Sequence, residues 1–158
     1  MLSGNSLTGS LPSLNLPKLI VLDVGGSNLS GSIQNLNFPE LEVLNLGGNE
    51  FSGTLPLFEG LTNLKELIVS SNNLSGPLPS SFGFDATIEH IALGGGENAF
   101  SGAIPPYAFP NALSFSLEGL DVQLEGELPM FDMPKLKSLN LRNNHRITGP
   151  LMDLRRLS

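Results

Sequence analysis

Two histidines, one run of glycines and many serines are what this 158-residue, cysteine-free chain offers for chemistry. His90 and His145 lie about two repeats apart, and no His/Glu spacing such as HExxH accompanies either, so nothing marks them as metal ligands or acid–base groups. Gly94-Gly95-Gly96 could cradle a phosphate, but no Gly-Lys-Ser/Thr follows and no long helix begins there. It reads instead as a widened turn, or as a ridge protruding at the edge of a binding face. The serines lack a base and an orienting third group, which nucleophilic catalysis requires. An enzyme is not indicated, and neither a cofactor nor a metal is expected.

Bulk properties narrow the partners. The net charge is -7, and only 8 residues are Lys or Arg, which argues against a phosphate-rich nucleic acid. The charge is uneven: Lys135, Lys137, Arg142, Arg146, Arg155 and Arg156 all fall near the C-terminal end. No stretch has the 18 or so apolar residues needed to span a bilayer, and the N-terminus lacks the pattern of a secretion signal. With 18 Gly, 12 Pro and no Trp, the chain should be rich in turns and poor in bulky anchors.

The elements that position these residues are repeats. Gly9, Gly31, Gly53, Gly76, Gly102, Gly126 and Gly149 recur at steps of 22, 22, 23, 26, 24 and 23 residues. Two positions before them stand Leu7, Leu29, Phe51, Leu74, Phe100, Leu124 and Ile147; two positions after stand Leu11, Ile33, Leu55, Leu78, Ile104, Leu128 and Leu151. The clearest unit is LEVLNLGGNEFSGTLP, followed by LKELIVSSNNLSGPLP. Leu44-x-Leu46 and Leu67-x-Val69 alternate with period two, which predicts one short strand per repeat and a parallel sheet.

After each strand comes a turn position held by Asn5, Asn49, Asn72, Asn98 or Asn144. A side-chain amide both donates and accepts, so stacked asparagines can pair the buried turn backbone as a ladder. Ser27 and Val122 interrupt it. Between repeats, Leu16, Phe38, Phe109 and Met133 each precede a proline, which disfavours long helices. The back of the stack should be extended segments and short 3₁₀ turns filled by those residues with Phe58, Phe82 and Phe131.

The string LxxLxLxxNxLSGxLP, with NLSG at 28–31 and 73–76, FSGTLP at 51–56 and FSGAIP at 100–105, resembles plant-type leucine-rich repeats over nearly the whole chain. The resemblance implies an α/β-type solenoid, mostly β: a right-handed superhelix of about seven repeats of 22–26 residues, with a concave parallel sheet and a second short strand from the L-x-G segment. It implies non-catalytic recognition of a protein or peptide ligand, with a co-receptor as a further partner. The setting implied is the ectodomain of a receptor-like kinase or receptor-like protein, on the extracellular side of the plasma membrane. Alternatives are a secreted polygalacturonase-inhibitor-like protein, or a structural or ice-binding-like scaffold.

The single domain, 1–158, opens and closes mid-repeat without the family's cysteine-bearing caps, which reads as a fragment whose ends would expose apolar surface. Two units are lengthened, at Gly94-Gly95-Gly96-Glu97 and at Glu118-Gly119-Leu120-Asp121, and a one-residue extension follows at Asn144-His145-Arg146. Insertions in solenoids often line the binding face. The candidate contacts are therefore the outward column Asp23, Asn45, Ile68, Ala92, Ser116 and Asn140. Flanking groups join them: Glu89, His90 (placed near the rim), Gly94 to Glu97, Glu118, Asp121 and Arg142. Asn28 and Asn73 head the sequons NLS and are candidate glycosylation sites, although the consensus produces such triplets by itself.

Overall fold

A Leu-x-Leu strand of three residues cannot bury itself alone, but stacked on copies of itself it forms a continuous wall. The computed structural model describes residues 1–119 and 123–150 and shows that arrangement. Numbering strands along the chain, one parallel sheet contains β2 (Val21–Asp23), β4 (Val43–Asn45), β6 (Glu66–Ile68), β8 (His90–Ala92), β10 (Ser114–Ser116) and β12 (Ser138–Asn140), each beside the next. A flanking parallel sheet contains β1 (Thr8–Ser10), β3 (Asn28–Ser32), β5 (Glu50–Gly53), β7 (Asn73–Pro77) and β9 (Ala99–Ser101). It resumes, after one bridge from Gly102 to Leu124, as β11 (Gly126–Glu127) and β13 (Ile147–Thr148). No α-helix occurs among the described residues. The chain is thus a β-solenoid of about six turns, with a flank strand outside the first of them that accounts for the seventh glycine.

Register follows from the sequence period. Leu22, Leu44, Leu67, Ile91, Phe115 and Leu139 face one another across the six strands and point inward. All but Leu139 are buried. Burying a leucine-sized side chain stabilises the fold by about 2 kcal/mol, so this one column dominates the contribution of the strands. The seven recurrent glycines all have φ between 79 and 97, the left-handed region where a Cβ is penalised. That backbone requirement is why glycine marks the repeat.

The asparagine ladder forms across the regular units. Asn72 donates from Nδ2 to Leu46 O (3.0 Å) and Val69 O (3.1 Å), while its Oδ1 accepts the Phe51 N–H (2.9 Å). Asn49 donates to Val24 O and Leu46 O and accepts from Leu29 N; Asn98 donates to Val69 O and Leu93 O and accepts from Leu74 N. Asn144 donates to Leu117 O and Leu141 O, but its Oδ1 has no partner. Asn5 is exposed and bonds only within its own turn. Ser27 is buried with an unpartnered Oγ, its side chain being too short to span two repeats. Val122 lies outside the described residues.

Behind the strands the x-Pro segments close single turns: Leu41 N donates to Phe38 O, Ala112 N to Phe109 O and Leu136 N to Met133 O. These i→i+3 bonds are not strung into a helix. Phe38, Phe58, Phe82, Phe109, Phe131 and Met133 are buried there. Leu16 is a correction: it is 45% exposed, because in the first turn of the stack no neighbouring unit lies over it. Phe84 and Tyr107 complete an aromatic column, with Phe82–Phe84 and Tyr107–Phe109 each stacked at 4.8 Å and Phe115 edge-on to Tyr107 at 5.8 Å. Tyr107 is anchored by donating its hydroxyl to Pro79 O at 2.7 Å. Burial, assisted by the Asp85 carboxylate, pushes the Tyr107 phenol well above its ordinary range.

Candidate binding face

With one column of each strand turned into the core, two columns remain on the open face of the six-stranded sheet. The first is Val21, Val43, Glu66, His90, Ser114 and Ser138; the second is Asp23, Asn45, Ile68, Ala92, Ser116 and Asn140. The second column is the one expected from the sequence. The first was missed apart from His90, although the same period-two alternation places 43, 66 and 90 beside 45, 68 and 92. His90 is accordingly not at the rim: it is exposed in the first column, flanked by Glu66 and Ser114.

The second column organises its own backbone. Asp23 and Asn45 each accept, through Oδ1, the N–H two residues on, from Gly25 (3.2 Å) and Gly47 (3.0 Å); Asn140 accepts the Arg142 N–H in the same way (3.2 Å). Asn140 also donates Nδ2 to Glu118 Oε2 at 2.6 Å, which commits both side chains to each other. Arg142 is exposed beside them, and Asp121 lies outside the described residues. Glu89 is half-buried at the head of β8, outside the two columns, and its carbonyl accepts the N–H groups of Leu113 and Ser114. The glycine run is laid close against its neighbours: a Cβ on Gly94 would stand 2.1 Å from Glu118 O, and one on Gly96 2.5 Å from Ser71 Cα. Gly94 is buried, and only Gly96 and Glu97 of the run are exposed, so the two extra residues form a widened turn packed between the preceding and the next repeat.

Of the hollows large enough to hold part of a ligand, two adjoin the candidate residues. One, of about 380 Å³, lies on the open face, lined by Glu66, Ile68, His90, Ala92, Ser114 and Ser116 together with the strand backbone. The other, of about 650 Å³, lies on the flank between the turns and the L-x-G strands, with Glu50, Glu97, Asn72 and Asn73 among its walls. Asn28 and Asn73, the sequon asparagines, are exposed at the heads of β3 and β7. A glycan on Asn73 would stand over the flank hollow, whereas neither sequon adjoins the open-face one.

Glu66, His90 and Ser114 share one column and have the residue types of an acid–base–nucleophile set. Only part of such a set is assembled among the described residues. Ser114 Oγ is paired with His90 Nδ1 at 2.8 Å, and no hydrogen bond joins Glu66 to the ring among the described residues. The Ser114 N–H is already donated to Glu89 O, leaving no oxyanion donor at that position. Nor does any group of three His, Asp or Glu come together to hold a metal among the described residues.

This geometry can be set beside known proteins. Models of leucine-rich repeats match residues 39–82, as two copies, and 132–150. The structure of the Arabidopsis receptor kinase HAESA in complex with the peptide hormone IDA and the co-receptor SERK1 superposes with a TM-score of 0.81 at 31% identity, over 97% of this chain and 27% of that one. The chain is a leucine-rich-repeat solenoid, similar to those of plant receptor kinases. Pollen Receptor Kinase 3 gives a TM-score of 0.69 at 28% identity, over 95% of this chain and 79% of that one. The PEPR1–AtPEP1 complex gives 0.63 at 27%, over 96% and 25%. The array therefore spans only about a quarter of the length of the HAESA and PEPR1 chains. No curated protein sequence matches it. A leucine-rich-repeat array of this kind is a recognition fold and carries no catalysis. No helix among the described residues is long and apolar enough to cross a membrane.

Proposed function

We propose that this array is part of the extracellular ligand-recognition region of a plant receptor-like kinase or receptor-like protein. It would hold an extended peptide against the open face of the six-stranded sheet, and a co-receptor is a further partner. The observation that carries the reading is the registered pair of outward columns, with a hollow of about 380 Å³ at β6, β8 and β10. Support comes from the similar HAESA structure, whose chain is in complex with a peptide hormone and a co-receptor. The lack of Trp and the sparse aromatics on this face fit a ligand that supplies its own bulky or charged anchors. Backbone and amide contacts would do the rest.

The test is selection of a random 12-residue peptide library on the secreted protein that contains this array, followed by counter-binding to a Ser116→Trp variant. Circular dichroism would first establish that the variant is folded. Peptides that bind the parent and lose most of their affinity for Ser116→Trp support the reading. Peptides indifferent to that bulk, or hydrogen-exchange protection confined to the flank sheet, would overturn it.

A further inference from the structure

Among the described residues of the two outward columns, Glu66 is the one carboxylate whose side chain has no partner within the protein. Asp23 is tied to the Gly25 N–H and Glu118 to Asn140, while Glu42, at the head of β4, is paired with Lys65 at 3.0 Å. Glu66 has neither a salt bridge nor a side-chain hydrogen bond among the described residues, and it is half-buried at the end of the open-face hollow. Next to it His90 is held by Ser114 through Nδ1, so Nε2 is the ring nitrogen free to meet a ligand. In the second column of the same hollow stand Ile68 and Ala92, an apolar wall and floor about two residues' rise from the carboxylate.

An apolar trough that ends in an uncommitted carboxylate has the shape and charge to take a side chain that is apolar along its stem and cationic at its tip. We infer that the hollow at β6, β8 and β10 is a subsite for a lysine or arginine side chain of the bound peptide. The methylene stem lies over Ile68 and Ala92, and the cationic head donates to Glu66 with His90 Nε2 beside it. This rests on the proposal that a peptide lies on the open face, and it adds which residue the peptide presents there. Competing anchors fit less well: an acidic side chain would meet Glu66 unscreened, and an aromatic ring would leave that carboxylate desolvated and unpaired.

The experiment uses the same peptide selection, read by sequencing. The expected result is enrichment of Lys or Arg at one position of the bound peptides on the parent protein. That enrichment should be abolished on Glu66→Gln, a variant that keeps size and polarity. For one selected synthetic peptide, replacing the enriched lysine by norleucine should weaken binding to the parent about fivefold, the scale of a partly exposed charge pair, and leave binding to Glu66→Gln unchanged. Peptides that are blocked by Ser116→Trp yet show no basic residue, or whose basic residue is insensitive to Glu66→Gln, would overturn the subsite while leaving peptide recognition intact. Failure of Ser116→Trp to affect any peptide would instead remove the parent reading.

Discussion

Replacing Asn49 or Asn72 by alanine should destabilise the array unequally, in the order opposite to their burial. Asn72 is the more deeply buried, at 2% exposure against 8% for Asn49. Asn72→Ala leaves the Phe51 N–H without its acceptor, but both carbonyls it served keep a second donor: Leu46 O retains Asn49 and Val69 O retains Asn98. One orphaned buried donor plus two weakened bonds costs about 3 kcal/mol. Asn49→Ala orphans the Leu29 N–H and also Val24 O, whose other ladder donor is missing because Ser27 stands where an asparagine would. Two orphaned groups raise the cost to about 4 kcal/mol. Repeat arrays do not unfold as one unit, so the assay is native-state hydrogen exchange, with the Phe51 and Leu29 amides as local reporters. If Asn72→Ala proved the more costly, or if the Phe51 amide kept its protection in that variant, the ladder account would be wrong and burial alone would be setting the energies.

Restoring the missing rung by Ser27→Asn should stabilise the array by about 1 kcal/mol and shrink the cost of Asn49→Ala in the same background, which a double-mutant cycle would read. Gly94→Ala forces the Glu118 backbone away from a Cβ that would otherwise sit 2.1 Å from its carbonyl oxygen, so it should destabilise the chain by about 2 kcal/mol and raise exchange in β8 and β10 first. Desolvation by burial raises the pKa of Asp85 above the ordinary carboxylate value, against the opposing effect of the Phe82 N–H that its carboxylate accepts at 2.8 Å. Its contribution to stability is thus present below the unfolded-state value of 3.8 and lost as pH rises through the folded-state value. Asp85→Asn should therefore melt higher than the parent at pH 7, with the gain closing towards pH 3.

Much of the fold was legible in the sequence because stacking makes the pattern redundant. Seven glycines in one register, each needed for a left-handed turn, and leucines two apart leave a parallel solenoid as the arrangement that satisfies all of them. The open face was only half legible. The second column could be read off Leu44-x-Leu46, since Asn45 lies between two buried residues. The first column lies between a buried residue and a half-buried or exposed strand-head residue such as Glu42, Lys65 or Glu89, so no apolar bracket announces it. The commitments of the charged groups were not legible at all. That Glu118 belongs to Asn140 while Glu66 is left alone depends on register between strands more than 20 residues apart.

The hollow itself has a packing origin. In the first two turns the residue two past the strand lies beneath the second-column side chain of the next repeat: a Cβ on Gly25 would stand 2.8 Å from Asn45 Nδ2, and one on Gly47 2.9 Å from Ile68 Cγ2. Glycine there makes room for a larger neighbour. Where the third turn carries Ser70 instead, the neighbour is Ala92, the smallest side chain of the second column. The exchange of bulk from the second column to the turn lowers the floor at β8 and opens the space between Ile68 and Ser116. Restoring the regular pattern with Ser70→Gly and Ala92→Asn together should therefore fill the hollow without straining the stack. A peptide that binds there should lose affinity for that double variant while its hydrogen-exchange profile elsewhere stays that of the parent. Unchanged binding would mean that the depression plays no part in recognition.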